Sequence, residues 1–259
     1  MEQPSGPGTP RVLVAVQLQR NSAAEVVQSD KPLREAMLEG LRRRNAVLDA
    51  LFYDVKVISP RETGTLAPWL AHEGALLIVP PTGAGTLCVC PDIDAFAAGG
   101  GAGTRILAVA VAGVGSSALG TAAFARNVAD AFGEPVAALV SGYGLADMLS
   151  EAAGGHSKGN LVIAEALYAL RDAHADEHLG ETAIVTISAA IAMPPRYRNI
   201  IDVMGEADWF GAMNSNFGIG VEYRLKDAGQ HTNTELRWHL PVREVMSALR
   251  RERGSALLH

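Results

Sequence analysis

The feature that most restricts how this chain can fold is the apolar run Thr104-Arg-Ile-Leu-Ala-Val-Ala-Val-Ala112, taken with the turn and helix behind it. An apolar run without polar alternation suits a strand covered on both faces, as in the centre of a parallel sheet. A glycine-rich turn, Gly113-Val-Gly-Ser-Ser-Ala-Leu-Gly120, comes next, and then a helical pattern from about Thr121 to Phe132. Strand, tight turn and helix in that order make one repeat of an α/β fold. Other segments fit the same scheme. Arg11–Leu18, Phe52–Ile58, Gly74–Val79, Thr86–Cys90, Pro135–Ser141, Thr182–Ile191 and Asn199–Met204 read as strands. Helices are expected over 31–51, where Leu33, Met37, Leu41, Val47 and Leu51 fall at near-helical spacing, and over 65–72 and 160–172. Gly144 to Gly154 reads as a further short helix. The expected architecture is α/β, a mostly parallel sheet with helices on both faces. Residues 1–10 form a Pro/Gly-rich disordered lead-in, and 11–259 a single domain. Gly99–Gly103 is expected as an exposed, mobile loop.

The densest chemical signal is Gly155-His-Ser-Lys-Gly-Asn160, which runs directly into Leu161, Ala164, Leu167 and Tyr168 on one helical face. The pattern is G-x-S-x-G opening a helix, the spacing of a nucleophile elbow. Small residues on either side allow a sharp turn that projects the serine. The helix behind it aims free N–H groups at a developing oxyanion. An ordinary helix cap is the competing reading of Ser157, since serine is a favoured N-cap. No strand-like segment directly precedes the serine. The nearest, Pro135–Ser141, ends well upstream.

Two further residue types appear downstream in the order such a site needs. Asp208 lies in Gly205-Glu-Ala-Asp-Trp-Phe210, just after a strand, and His231 in Gln230-His-Thr-Asn233, a polar loop before the last elements. Glu206 and Asp202 are alternative acids, and His239 is an alternative base. With these residues in view, the chain resembles the α/β-hydrolase superfamily, and within it the class 3 lipase-like branch and bacterial families with a Gly-His-Ser-Lys-Gly elbow. The resemblance covers roughly residues 105 to 242. It implies Ser157 as nucleophile, Asp208 as orienting acid and His231 as general base. It also implies oxyanion donors from the Lys158 N–H and from Ser116 or Ser117 in the Gly113–Gly120 loop. The implied activity is cleavage of a small-molecule acyl ester or lipid-like substrate, without cofactor or metal.

The Gly113–Gly120 loop has two other readings. It is a plain structural turn, or it approaches a nucleotide phosphate through backbone N–H groups. Its spacing, G-x-G-x-x-x-x-G, departs from the dinucleotide fingerprint, and no acidic residue closes a second strand about 20 residues on. A catalytically inactive hydrolase-like binding or assembly protein is the other alternative.

Composition narrows the remaining classes. A formal charge of −6 argues against a nucleic-acid partner. The clusters Arg42-Arg43-Arg44 and Arg250-Arg251 with Arg253 read as solvated helix faces. Cys88 and Cys90, one residue apart, point to opposite faces of a strand and are expected as two buried thiols, neither disulfide nor zinc site. No apolar stretch is long enough to span a membrane. The N-terminus lacks the basic and apolar regions of a secretory signal, so a cytoplasmic location is expected.

Overall fold

The computed structural model describes residues 47–70, 72–100, 106–113, 116–141, 158–172, 183–188, 190–195, 197, 199–213, 215–216 and 218–256. The expected lead-in (1–10), the Arg11–Leu18 strand, most of the 31–51 helix and the Gly144–Gly154 helix lie outside the described residues. Residues 47–52 are helical.

Helices and sheets alternate, so the chain is α/β, but its sheets are small and one is mixed. Strands β1 (Leu76–Val79), β2 (Cys88–Cys90), β3 (Val109–Val111) and β4 (Val136–Leu139) form a four-stranded sheet in the order β2-β1-β4-β3. Strand β1 is antiparallel to both β2 and β4, and only β3 and β4 are parallel. The connections explain the directions. A short loop joins β1 to β2 and returns the chain antiparallel, whereas β3 reaches β4 through a helix and therefore runs parallel. Strands β5 (Ile184–Ile187), β6 (Ile200–Gly205) and β7 (Tyr223–Leu225) form a second, wholly parallel sheet in the order β5-β6-β7.

Both sheets contribute to one core. Ala110 and Ala112, Val136 and Ala138, and Ile201 and Val203 join a single apolar cluster. Helix α2 (Ala118–Phe132) passes through that cluster and is buried on nearly all sides. Alanines at 118, 122, 123, 125 and 129 let its backbone come close to its neighbours. A second cluster forms where helix α3 (Lys158–Asp172) lays Ala164, Leu167 and Leu170 on Ile184, Ile191, Met193 and Tyr197.

Several elements depart from expectation for identifiable reasons. Phe52–Ile58 is not a strand but the end of a helix followed by a 3-10 turn, Val55–Val57. Long-range partners meet its polar groups. Thr232 N–H and Asn233 Nδ2 donate to the Phe52 and Ala50 carbonyls, and Thr234 Oγ1 donates to Asp54. The helix expected over 65–72 begins earlier, as α1 (Pro60–Leu66), because Ser59 and Glu62 form a capping box with proline in the first turn. It continues as the 3-10 turn Ala67–Trp69. Gly99 and Gly100 close a π-helical turn, Phe96–Gly100. Of the apolar run expected as a central strand, Val109–Val111 forms β3, which among the described residues pairs on one side only, with β4; Leu107 before it is 42% and Val109 within it 49% exposed. Cys88 is exposed and Cys90 buried, and both are free. Arg250 and Arg251 are exposed on helix α5 (Val242–Ala256), as expected of a solvated face, and the Arg250 guanidinium also donates to the Ala131 and Phe132 carbonyls at the end of α2. No helix of the described residues is long and apolar enough to cross a membrane.

Candidate functional site

The carboxyl ends of β5, β6 and β7 lie along one edge of the parallel sheet, and outside such an edge α/β proteins place their sites. Two loops and the start of a helix meet there. The loop after β6 turns at Gly205, carries Glu206 to Asp208 and opens the short helix α4 (Trp209–Met213). The loop after β7 begins at Lys226 and leads to His231. The two are tied together: Glu206 N–H donates to the Leu225 carbonyl and Ala207 N–H to the Ala228 carbonyl, each at 2.9 Å. Glycine is required at 205, because a Cβ there would collide with the Ala228 carbonyl. The third component is the start of α3. Asn160 Nδ2 donates to the Ile187 carbonyl at 3.5 Å, which brings the first turn of that helix to the end of β5.

Asp208 is 1% exposed. Its Oδ1 accepts from Gly211 N–H at 2.7 Å, and its Oδ2 is buried with no formed hydrogen bond. Burial pushes this carboxyl above the usual carboxylate range, with the Gly211 N–H and, at longer range, the Ser188 hydroxyl pulling it back. Ser188 itself holds φ 64°, a left-handed conformation uncommon for serine, at the point where the chain leaves β5. Gly211 fits tightly beneath it: a Cβ at 211 would strike the Ser188 carbonyl and lie 2.6 Å from Asp208 Oδ2. Ser215 completes the brace, its hydroxyl donating to the Gly211 carbonyl and accepting from Ala190 N–H.

His231 is held by its own loop. Leu240 N–H donates to its carbonyl, and its ring Nε2 lies 3.0 Å from the Arg237 carbonyl. Facing a carbonyl, Nε2 is the protonated nitrogen. Nδ1 is buried and has no partner. Asp208 and His231 are therefore on adjoining loops but are not joined by a hydrogen bond. His239, the alternative base, has its Nδ1 3.3 Å from the Leu236 carbonyl and lines an open cleft of about 540 Å³ with Asp227, Arg237 and Trp238. Of the alternative acids, Glu206 is exposed. Asp202 lies back from the edge within β6, raised by burial and held by the Thr186 hydroxyl. Ser157 lies outside the described residues, and so does His156. Lys158 is the first residue of α3.

The Gly113–Gly120 loop is built differently from a free oxyanion or phosphate cradle. Ser116 is fully buried, with its N–H on the Gly113 carbonyl at 3.4 Å and its hydroxyl accepting from Thr121 at 3.5 Å. Ser117 donates both its N–H, at 2.8 Å, and its hydroxyl to Asp49. Asp49 thus occupies the N-terminus of α2, where a bound phosphate would sit. Burial pushes its carboxyl up to about 6, against hydrogen bonds from Ser117 and Gly120. Sequence reasoning missed Asp49 and Ser188. No motif surrounds either one, and Asp49 is 68 residues from its partner. Among the described residues no group of three or more His, Cys, Asp or Glu could hold a metal ion. Comparison with protein-family models, with curated proteins and with solved structures finds no match.

Proposed function

We propose that this protein is a serine hydrolase of hydrolase-like architecture that cleaves a carboxylic ester, with Ser157, His231 and Asp208 as its triad. One observation carries the reading. Asp208 Oδ2 and His231 Nδ1 are both buried and both lack a partner, and these are the two atoms that such a triad joins. An unmet buried polar atom costs about 1–3 kcal/mol, so two on adjoining loops are favoured to find each other. Chain order supports it, since serine, acid and histidine follow one another along the sequence in the order such hydrolases use.

In this mechanism the His231 ring leaves the Arg237 carbonyl and donates Nδ1–H to Asp208, which frees Nε2 as an acceptor. Ser157 Oγ attacks the acyl carbon while Nε2 takes its proton, and the imidazolium is stabilised by the Asp208 carboxylate. The Lys158 N–H receives part of the charge on the carbonyl oxygen. A second donor from Gly115–Ser117 requires that loop to release the Ser116 N–H from Gly113. Collapse of the tetrahedral species expels the alcohol, protonated by His231. Water, activated by the same base, then releases the acid.

The bond between His231 Nε2 and the Arg237 carbonyl favours a second reading, in which the same scaffold binds without catalysing. A fluorophosphonate probe separates the two. The catalytic reading expects a stoichiometric adduct on Ser157, located by mass spectrometry, absent in Ser157→Ala and slowed at least a hundredfold in His231→Gln. A folded wild type that takes no adduct overturns it and leaves the binding reading.

A further inference from the structure

The two thiols of β2 are neighbours, which corrects the expectation that they point to opposite faces. Residues two apart on a strand share a face and stand roughly 6.7 Å apart along it. The pairing with β1 fixes which face. Cys88 lies opposite Ile78 and Cys90 opposite Leu76, whereas Val89 and Leu77 turn to the other side and pack into the main core. Cys88 is exposed and Cys90 is buried, so the pair has one open end and one closed end. Burial, then the repulsion and hydrogen bond of the adjacent Cys88 thiol, push the Cys90 thiol up to about 11. Two thiolates held this close repel, and a cation bound to both sulfurs removes that repulsion.

We propose that Cys88 and Cys90 form a two-thiolate site for a soft monovalent metal ion, copper(I), separate from the Asp208 and His231 loops and independent of the reading given to them. The donor set selects the ion. Sulfur ligands favour soft ions over magnesium or calcium. The facing side chains of Leu76 and Ile78 offer no oxygen or nitrogen, and they surround the sulfurs with apolar groups. Asp92, two residues beyond Cys90, has its Oδ1 on the Ala95 N–H at 2.8 Å, where it caps the Ile93–Ala95 turn. Among the described residues no third His, Cys, Asp or Glu completes a cluster with the pair. Zinc takes three or four protein ligands. Two thiolates in line satisfy copper(I).

The test is titration of the full folded chain with copper(I), without oxygen, against bicinchoninate, a chelator whose colour reports what the protein takes. The expected result is one copper per chain with the mass by light scattering unchanged, and no displacement by excess zinc(II). Cys88→Ser replaces an exposed side chain, so the fold stays, and it should weaken binding by roughly a hundredfold or more. Cys90→Ala should do the same, and if it does not fold, Cys88→Ser decides alone. Copper held at wild-type strength by a folded single variant overturns the proposal, and so does a folded wild type that yields all its copper to the chelator. Half a copper per chain with a doubled mass also overturns it, because Cys88 alone would then be bridging two molecules. Displacement by zinc(II) overturns the choice of ion and with it the two-thiolate site.

Discussion

Asp49 closes the N-terminus of α2 with a carboxylate that has no access to water. Its folded-state pKa of about 6, against an ordinary value of 3.8, sets the sign of a pH effect. Below about pH 4 the group is neutral in folded and unfolded chains alike. Between pH 4 and 6 the folded state holds the proton that the unfolded chain has released, so stability falls as pH rises. Above pH 6 the full penalty applies, on the order of 3 kcal/mol. Urea unfolding of wild type and Asp49→Asn at pH 4 and pH 7 measures this. The wild type should lose ground to the variant on going to pH 7, and parallel changes in the two would refute it. Gly120 is part of the same arrangement. A Cβ there would collide with Asp49 and lie 2.7 Å from Tyr53 Cδ2. Gly120→Ala should cost about 2–4 kcal/mol, read as a lower urea midpoint, since overpacking and a displaced cap add. Gly211→Ala makes a different demand: by pressing on the Ser188 carbonyl and Asp208 it should slow probe labelling of Ser157 in the fraction that remains folded. Sequence reading singles out Asp208, just after the strand expected over 199–204, and His231 in a polar loop, but not the strand β7 that precedes His231. It does not reach Asp49, whose role is fixed by a partner 68 residues away.

At the scale of elements, α1 and α2 are locked by the buried pair Glu62 and Arg126, at 2.5 Å. Glu62 also closes the capping box and accepts from Leu87 N–H. Burial pushes the Glu62 carboxyl up, but hydrogen bonds from Ser59 and Arg126 more than reverse it, so it ends below its ordinary value. Its contribution is present above pH 4.5 and is lost as pH falls through its folded-state value. Arg126→Met alone strands the carboxylate and should destabilise by about 3–5 kcal/mol, whereas Glu62→Gln with Arg126→Met should recover much of that loss. A double-mutant cycle in urea checks it, and simple additivity would sink the idea. Elements announced by a cap or a long periodic pattern were legible: α2 and α3 agree with expectation to within three residues, β6 matches its apolar run to within a residue, and β1, β4 and β5 fall inside theirs but are shorter. Failures came where tertiary contacts outrank local pattern. Phe52 to Ile58 alternates like a strand but finds its partners in the 232–234 loop.

For the molecule as a whole, alternating strands and helices are legible in the sequence but their directions are not. Whether β1 lies parallel or antiparallel to β4 depends on which strands become neighbours, and no local property of Leu76 to Val79 encodes that. The parallel sheet that carries the candidate site is attached to the rest through a shared core, with Ile201 and Val203 of β6 packed in the same cluster as α2. Disturbing α2 should therefore be felt at Asp208.

Arg250 adds a consequence for the order of events during synthesis. Helix α2 is tied at its start to Asp49 and at its end to Arg250, 118 residues later in the chain. A ribosome adds some 5–20 residues per second, so roughly several seconds or more separate the emergence of Phe132 from that of Arg250. Through that interval the central helix exists with one end unfastened and the face meant for α5 uncovered. The nascent chain should thus remain protease-sensitive around α2 until α5 has cleared the exit tunnel, and chaperones that hold apolar surfaces have their opportunity in that window.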